Sequence, residues 1–130
     1  MKFRYRKFPS GLRPVIPVEL IFGESVVGYY VLVDSGADMS FFDAELAKTL
    51  GLELTSGEKR EVVGVTGVPV EYYVHIITVR AGGHDSTMAV GFLEGLSNFG
   101  YGLVGQLGFF EAFIVKFDLL KEEIELKPRT

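Results

Sequence analysis

The residues best suited to chemistry stand together in Val31-Leu32-Val33-Asp34-Ser35-Gly36-Ala37-Asp38. An apolar strand runs directly into an acid, a hydroxyl residue, a glycine and an alanine. Most acids that follow a strand sit in exposed turns. Asp34 follows the most apolar run of the first forty residues, Val26 to Val33, so it is expected where a buried strand ends. A carboxylate at such a place is costly unless a function uses it. Gly36 lets the backbone turn sharply and lets other backbone approach. Ser35 offers a hydroxyl that can hold neighbouring groups.

The elements that must position Asp34 follow from periodicity. Pro14 and Pro17 keep their stretch extended. Ile16, Val18, Leu20 and Phe22 alternate with mixed residues, as in a strand with one buried face. Gly23-Glu24-Ser25 is a turn. Val26 to Val33 is apolar on both faces apart from Gly28, the pattern of a strand covered on two sides. The pair reads as a hairpin that delivers Asp34 to its end. Met39 to Phe42 stays extended, Asp43 caps a short helix over Ala44 to Leu50, and Gly51 stops it. Residues 55–60 read as a polar loop.

A second hairpin is expected around Gly64-Val65-Thr66-Gly67, flanked by Glu61 to Val63 and by Val68 to Val79. Its tip is small and apolar, so it either packs on something or closes over something. Met88 to Leu93 is a further strand, residues 95–100 are loop, and Leu103-Val104-Gly105 is a brief apolar run. Residues 106–112 can form one or two helical turns. Phe113, Val115 and Phe117 alternate as a strand, and Ile124 and Leu126 close a last hairpin. Many short strands with one or two short helices give an all-β, barrel-like domain.

Composition bounds the function. The 130 residues suffice for one compact domain. We divide them into a basic arm, residues 1–13, and a single domain, residues 14–130. Hydrophobic residues make up 48% and glycines number 16, which suits short strands and tight turns. The chain has no Cys, which excludes disulfides and thiolate chemistry. With 2 His, a zinc site would have to lean on carboxylates; no metal and no cofactor is expected. A net charge of −4 argues against general nucleic-acid binding. No apolar run reaches spanning length and the N-terminus lacks a secretory core, so no membrane partner is expected and the default location is cytoplasmic. Lys2, Arg4, Arg6, Lys7 and Arg13 all precede the first acid, Glu19. The arm reads as a frayed, solvated terminus, with contact to an acidic partner as the sharper alternative.

With these residues in place, the chain resembles the retropepsin-like (retroviral-type, single-lobe) aspartic proteases, and especially their small cellular members. Asp34-Ser35-Gly36-Ala37 after an apolar strand resembles the active-site signature. Gly64–Gly67 falls where that family has its mobile flap. Leu103-Val104-Gly105 resembles the late apolar-apolar-Gly motif, which packs behind the active-site loop there. Phe109 to Asp118 looks like the cellular relatives. The resemblance covers about residues 15–118 and implies a closed β-barrel with a flap hairpin. By that resemblance Asp34 is catalytic, and Ser35 and Gly36 support it. Ala37, Asp38, Gly64, Val65, Thr66, Gly67 and Val68 are then candidates to contact substrate.

The implied chemistry needs a partner. Two carboxylates a few ångströms apart cannot both ionise, so they share a proton and supply base and acid together. The chain has one Asp-(Ser/Thr)-Gly, so Asp34 must meet Asp34 of a second copy across a two-fold axis. The resemblance therefore implies a homodimeric endopeptidase acting on an extended peptide or protein. There are departures. Ser35 replaces the commoner Thr. Asp38 matches an acid that pairs, in viral members, with an Arg just after the late Gly. Gln106 and Leu107 stand there instead, so an arginine of the basic arm is the expected substitute partner. The C-terminal hairpin also extends past the end of the viral chains.

Other motifs carry less. Gly100-Tyr101-Gly102-Leu103-Val104-Gly105 fits a dinucleotide fingerprint, but no useful strand precedes it and too little chain follows to build a nucleotide-binding sheet. His84-Asp85-Ser86 has the letters of a hydrolase triad, but triad groups converge from different segments. His75 reads as a surface or cross-strand residue, and Glu122, Glu123 and Glu125 as a solvated hairpin edge. Two alternatives to the protease stay open: a catalytically silent peptide-binding or dimerisation module of the same fold, and a small nucleotide- or ligand-binding protein.

Overall fold

Short apolar runs separated by glycine turns make a molecule built mostly of strands. Its architecture is taken from a computed structural model, which describes residues 1–63 and 66–130. The strands are β1 (Lys2–Arg4), β2 (Arg6–Phe8), β3 (Gly11–Arg13), β4 (Val15–Phe22), β5 (Ser25–Val33) and β6 (Ser40–Asp43). After helix α1 (Ala44–Thr49) come β7 (Glu58–Val63), β8 (Pro69–Ala81), β9 (His84–Leu93) and β10 (Gly102–Val104). Strands β11 (Phe113–Asp118) and β12 (Glu123–Pro128) end the chain. Among the described residues no helix is long and apolar enough to cross a membrane.

The main sheet runs β4-β5-β10-β6-β9-β8-β7, and β4 also pairs with β8, with Leu20 opposite Val79. That second pairing closes the sheet into a barrel, the all-β, closed-barrel fold expected from the sequence. Closure leaves β7 as a projecting ribbon on β8. The alternation of β4 explains the core. Ile16, Val18 and Leu20 point inward with Ile77 and Val79 of β8 and with Val90 and Phe92 of β9. At the end of β6, the Asp43 carboxylate accepts from the Glu45 amide at 2.9 Å and starts α1. Gly51, at φ +82°, ends that turn in the left-handed region.

Several expectations are corrected. β5 is not covered on both faces. Val26 and Tyr30 are exposed, and only the end of the strand, Val31 and Val33, is buried. Residues 55–60 are not all loop, because Glu58, Lys59 and Arg60 pair with Val74, Tyr73 and Tyr72. The N-terminal arm is not frayed. β1 pairs with β12, placing Lys2 opposite Glu125 and Arg4 opposite Glu123. The terminal amine of Met1 donates to the Leu126 carbonyl at 3.0 Å. Glu123 and Glu125 therefore lie on a central strand, β12, between β1 and β11. His75 is buried, not on the surface. Its Nε2 lies 2.8 Å from the Leu54 carbonyl oxygen, and its ring packs edge-on to Phe92.

Candidate active site

Asp34 stands one residue beyond β5. Val31 and Val33 anchor the strand in the core, Asp34 is half-buried, and Ser35 and Gly36 are exposed. The loop folds back on its own acid. The Gly36 amide donates to Asp34 Oδ1 at 2.9 Å, and the Ala37 amide donates to the Asp34 carbonyl at 3.2 Å. A Cβ at position 36 would lie 3.2 Å from that same Oδ1. Glycine there keeps the carboxylate uncrowded and its amide available.

The floor of the loop is β10. It runs parallel to β5, with Val104 beside Val33, and antiparallel to β6, with Leu103 beside Phe41. Its last carbonyl, of Val104, accepts from the Asp34 amide at 2.9 Å. The Gly105 amide then donates to the hydroxyl of Ser40, which is fully buried, at 3.2 Å. The Gln106 and Leu107 amides donate to the carbonyls of Ala37 and Asp38 at 2.9 and 2.8 Å. The Gln106 side chain reaches further and donates from Nε2 to the Ser35 carbonyl at 2.6 Å. Leu103, Val104 and Gly105 thus sit directly against the residue 34–38 loop. Ser40, Gln106 and Leu107, which the sequence reading did not single out as site residues, complete the clamp.

The arginine expected to pair with Asp38 is not supplied by the arm. Arg6 instead stacks over the Tyr30 ring, 4.1 Å from its centroid. No ion pair among the described residues includes Asp38, which is exposed. Gln106, just after Gly105, engages the Ser35 carbonyl with its neutral amide and not a carboxylate.

The β7–β8 hairpin projects from the barrel. Gly64 and Val65, two candidate substrate contacts, lie outside the described residues. Thr66, Gly67 and Val68 are exposed, and Gly67 takes φ +76°. The hairpin is tied to the loop side of the barrel at its base. There the Tyr72 ring packs edge-on to Phe41 at 5.1 Å, and its hydroxyl lies 3.8 Å from Met39 Sδ. Gly91 makes room for this pair, since a Cβ there would come within 2.8 Å of both rings.

The motifs set aside fall elsewhere. Gly102 lies within β10, a central strand, and does not open a helix. Asp85 binds Arg80 through two hydrogen bonds of 2.6 and 3.1 Å, and the His84 ring packs on Phe113. Among the described residues no group of three or more His, Asp or Glu is placed to hold a metal ion. Five concavities formed by described residues have linings that do not include Asp34. The most apolar of these, about 410 Å³, lies between Tyr29, Tyr30 and Arg80.

A family model described as aspartyl protease matches residues 18–106, which spans Asp34, the hairpin and the Gln106 clamp. The chain belongs to the aspartyl protease family. No curated protein is significantly similar in sequence. Among solved structures, the chain is similar to a retropepsin-like aspartic protease from Rickettsia conorii. The two share 20% identity over 95% of this chain and 97% of the other, with a TM-score of 0.64. Family and fold agree with the loop geometry. A retropepsin-like barrel here carries its signature acid on a loop bolted from beneath by the late Gly105 turn.

Proposed function

We propose that the chain is an aspartic endopeptidase that works as a homodimer, with water activated between Asp34 and the partner's Asp34. The observation that carries this reading is the half-exposed Asp34 carboxylate, held in a rigid loop with one oxygen engaged by the Gly36 amide. That rigidity suits a group that must meet its twin in one geometry.

The chemistry follows from a shared proton. The ionised carboxylate takes a proton from water as the water oxygen bonds to the peptide carbonyl carbon. The protonated carboxyl gives its proton to the carbonyl oxygen, forming a neutral tetrahedral diol. In collapse, one hydroxyl returns a proton to a carboxylate, the amide nitrogen receives one, and the C–N bond breaks. Base and acid exchange roles in each turnover, and no covalent enzyme intermediate is needed. The substrate is an extended peptide between subunits, covered by the β7–β8 hairpin. The exposed Val62, Val68 and Val70 offer it an apolar surface.

The test is cleavage of a diverse peptide mixture, read by mass spectrometry, by wild type and Asp34→Asn from about pH 4 to pH 7. Cuts made by wild type and absent with the variant are expected. A folded dimer that makes no Asp34-dependent cut at any pH would transfer the fold to a silent peptide-binding role.

A further inference from the structure

β8 runs on past the end of β9. Their ladder goes from Ala81 opposite His84 to Tyr73 opposite Phe92 and stops there. Among the described residues, Pro69 to Tyr72 pair only on the β7 side. That leaves a short row of backbone N–H and C=O groups open on the other side, the kind of edge that accepts an added strand. Charge explains the stop. In the same register Glu94 would come to lie opposite Glu71, and like charges directly opposite destabilise a ladder. The chain turns away instead at Gly95, which takes φ +83°.

A groove lies along this open edge. One concavity, of about 460 Å³, is lined in part by Leu54, Pro69, Glu71, Tyr73, Phe92 and Glu94. A second, of about 560 Å³, shares Ala44, Leu54 and Glu94 with it and continues past Glu45 and Leu52. Glu71 and Tyr73 alternate along β8 with Tyr72, whose ring packs on Phe41. The groove is therefore on the back of the hairpin, away from the face turned to the Asp34 loop.

Charge selects the occupant. Glu45, Glu71 and Glu94 are exposed along the groove, and Lys48 is the only cation among its described lining residues. Glu71 binds Lys59 across the ribbon at 3.1 Å. Glu45 and Glu94 enter no ion pair among the described residues. Between the acids the lining is apolar, with Leu52, Leu54 and Leu93 half-buried. An extended segment with one Lys or Arg among apolar residues answers each feature. Its backbone pairs with β8, its cation falls between Glu71 and Glu94, and its apolar side chains cover the leucines.

We infer that this groove is a second anchoring site for the protein substrate. It takes an extended apolar segment bearing a Lys or Arg, outside the cleaved stretch, as a strand added to β8. This rests on the proposed endopeptidase reading. β8 presents the hairpin face over the cleaved peptide in front and the open edge behind. A strand added at that edge therefore holds a protein substrate by the same element that covers its scissile bond.

Binding is read first on Asp34→Asn, which leaves a probe uncut. A labelled peptide, Gly-Ser-Val-Val-Lys-Val-Val-Ser-Gly, should bind in fluorescence anisotropy, and the same peptide with glutamate for lysine should not. Adding Glu94→Lys should weaken binding about tenfold or more at low salt. Amide NMR signals of Val70, Glu71 and Tyr72 should move on addition of the probe, and that of Gly36 should not. With an active Asp34, a peptide cut by the enzyme should show a KM about tenfold lower when it carries the probe sequence on a flexible tail, with kcat unchanged. Glu94→Lys should lose that advantage and still cut the untailed peptide like wild type. Thermal melting confirms that Glu94→Lys folds. No binding, equal binding by folded Glu94→Lys, or signal changes centred on Gly36 would overturn the groove and leave the protease reading standing. A bound tail that leaves KM unchanged would overturn the anchoring role. Glu94-dependent binding by a protein that makes no Asp34-dependent cut would overturn the protease reading, and the substrate role with it, and leave a peptide-binding groove.

Discussion

The side-chain amide of Gln106 donates to the main-chain carbonyl of Ser35 at 2.6 Å, joining residues 71 positions apart. Two neighbouring amide bonds, Gln106 to Ala37 and Leu107 to Asp38, run beside it. The turn after β10 therefore grips three carbonyls, of Ser35, Ala37 and Asp38, in the loop that carries Asp34. A charged residue at position 106 would seek a carboxylate. A neutral amide holds the loop backbone itself, and Asp38 stays exposed, outside the ion pairs among the described residues.

Replacing Gln106 separates this role from general packing. Gln106→Ala should cost about 1 kcal/mol, one neutral hydrogen bond at an exposed site, and should lower kcat more than it raises KM. Gln106→Glu should cost more at neutral pH, because its carboxylate would face the Ser35 carbonyl oxygen. Once protonated, at about pH 4 and below, the glutamic acid can donate, and stability should recover toward wild type. Thermal melts at two pH values decide this. A glutamate variant as stable as wild type at pH 7 would mean the contact does not hold the loop.

The loop was legible in the sequence because its signal is local. A strand, an acid and a glycine stand within a few residues, and each has one physical reading. Helix α1 was legible likewise, from Asp43 before it and Gly51 after it. What was hidden depends on partners far along the chain. Lys2 and Arg4 look like a solvated arm until Glu125 and Glu123 are seen opposite them. Val26 and Tyr30 carry the apolar character of a covered strand, yet both are exposed; residue type reveals preference and not neighbours. Ser40 and Gln106 are ordinary polar residues whose roles appear only once β10 lies beside the Asp34 loop.

Two glycine substitutions should diverge. At Gly105 a Cβ would lie 2.5 Å from the Ala37 carbonyl oxygen and 2.7 Å from that of Met39, and backbone on both sides cannot give. Gly105→Ala should destabilise by about 3 kcal/mol or more and abolish cleavage by forcing the clamp off the loop. At Gly28, in β5, a Cβ meets nothing within 4 Å. Gly28→Ala should be neutral or stabilise by up to about 1 kcal/mol, since alanine loses less backbone freedom on folding. Urea unfolding of the two variants side by side provides the check, and equal losses would contradict the close approach at Gly105.

Acid stability should depend on Asp43, which is 4% exposed. Burial pushes its pKa up, but amide donors from Glu45, Ser97 and Leu96 and the Ser97 hydroxyl outweigh burial and hold the carboxyl below the ordinary carboxylate range. The Ser97 amide is close, at 2.7 Å, and ties the loop before β10 to the start of α1. A depressed folded pKa means that the unfolded chain takes up the proton first. The stabilisation is complete above the unfolded value and is lost as pH falls through the folded one. Wild-type unfolding free energy should therefore decline on acidification from the ordinary carboxylate range downward. Asp43→Asn keeps an acceptor and a good helix cap but has no proton to take up, so it should start lower at neutral pH and decline less steeply. Parallel slopes for the two proteins would place the acid sensitivity in other carboxylates and remove Asp43 from that account.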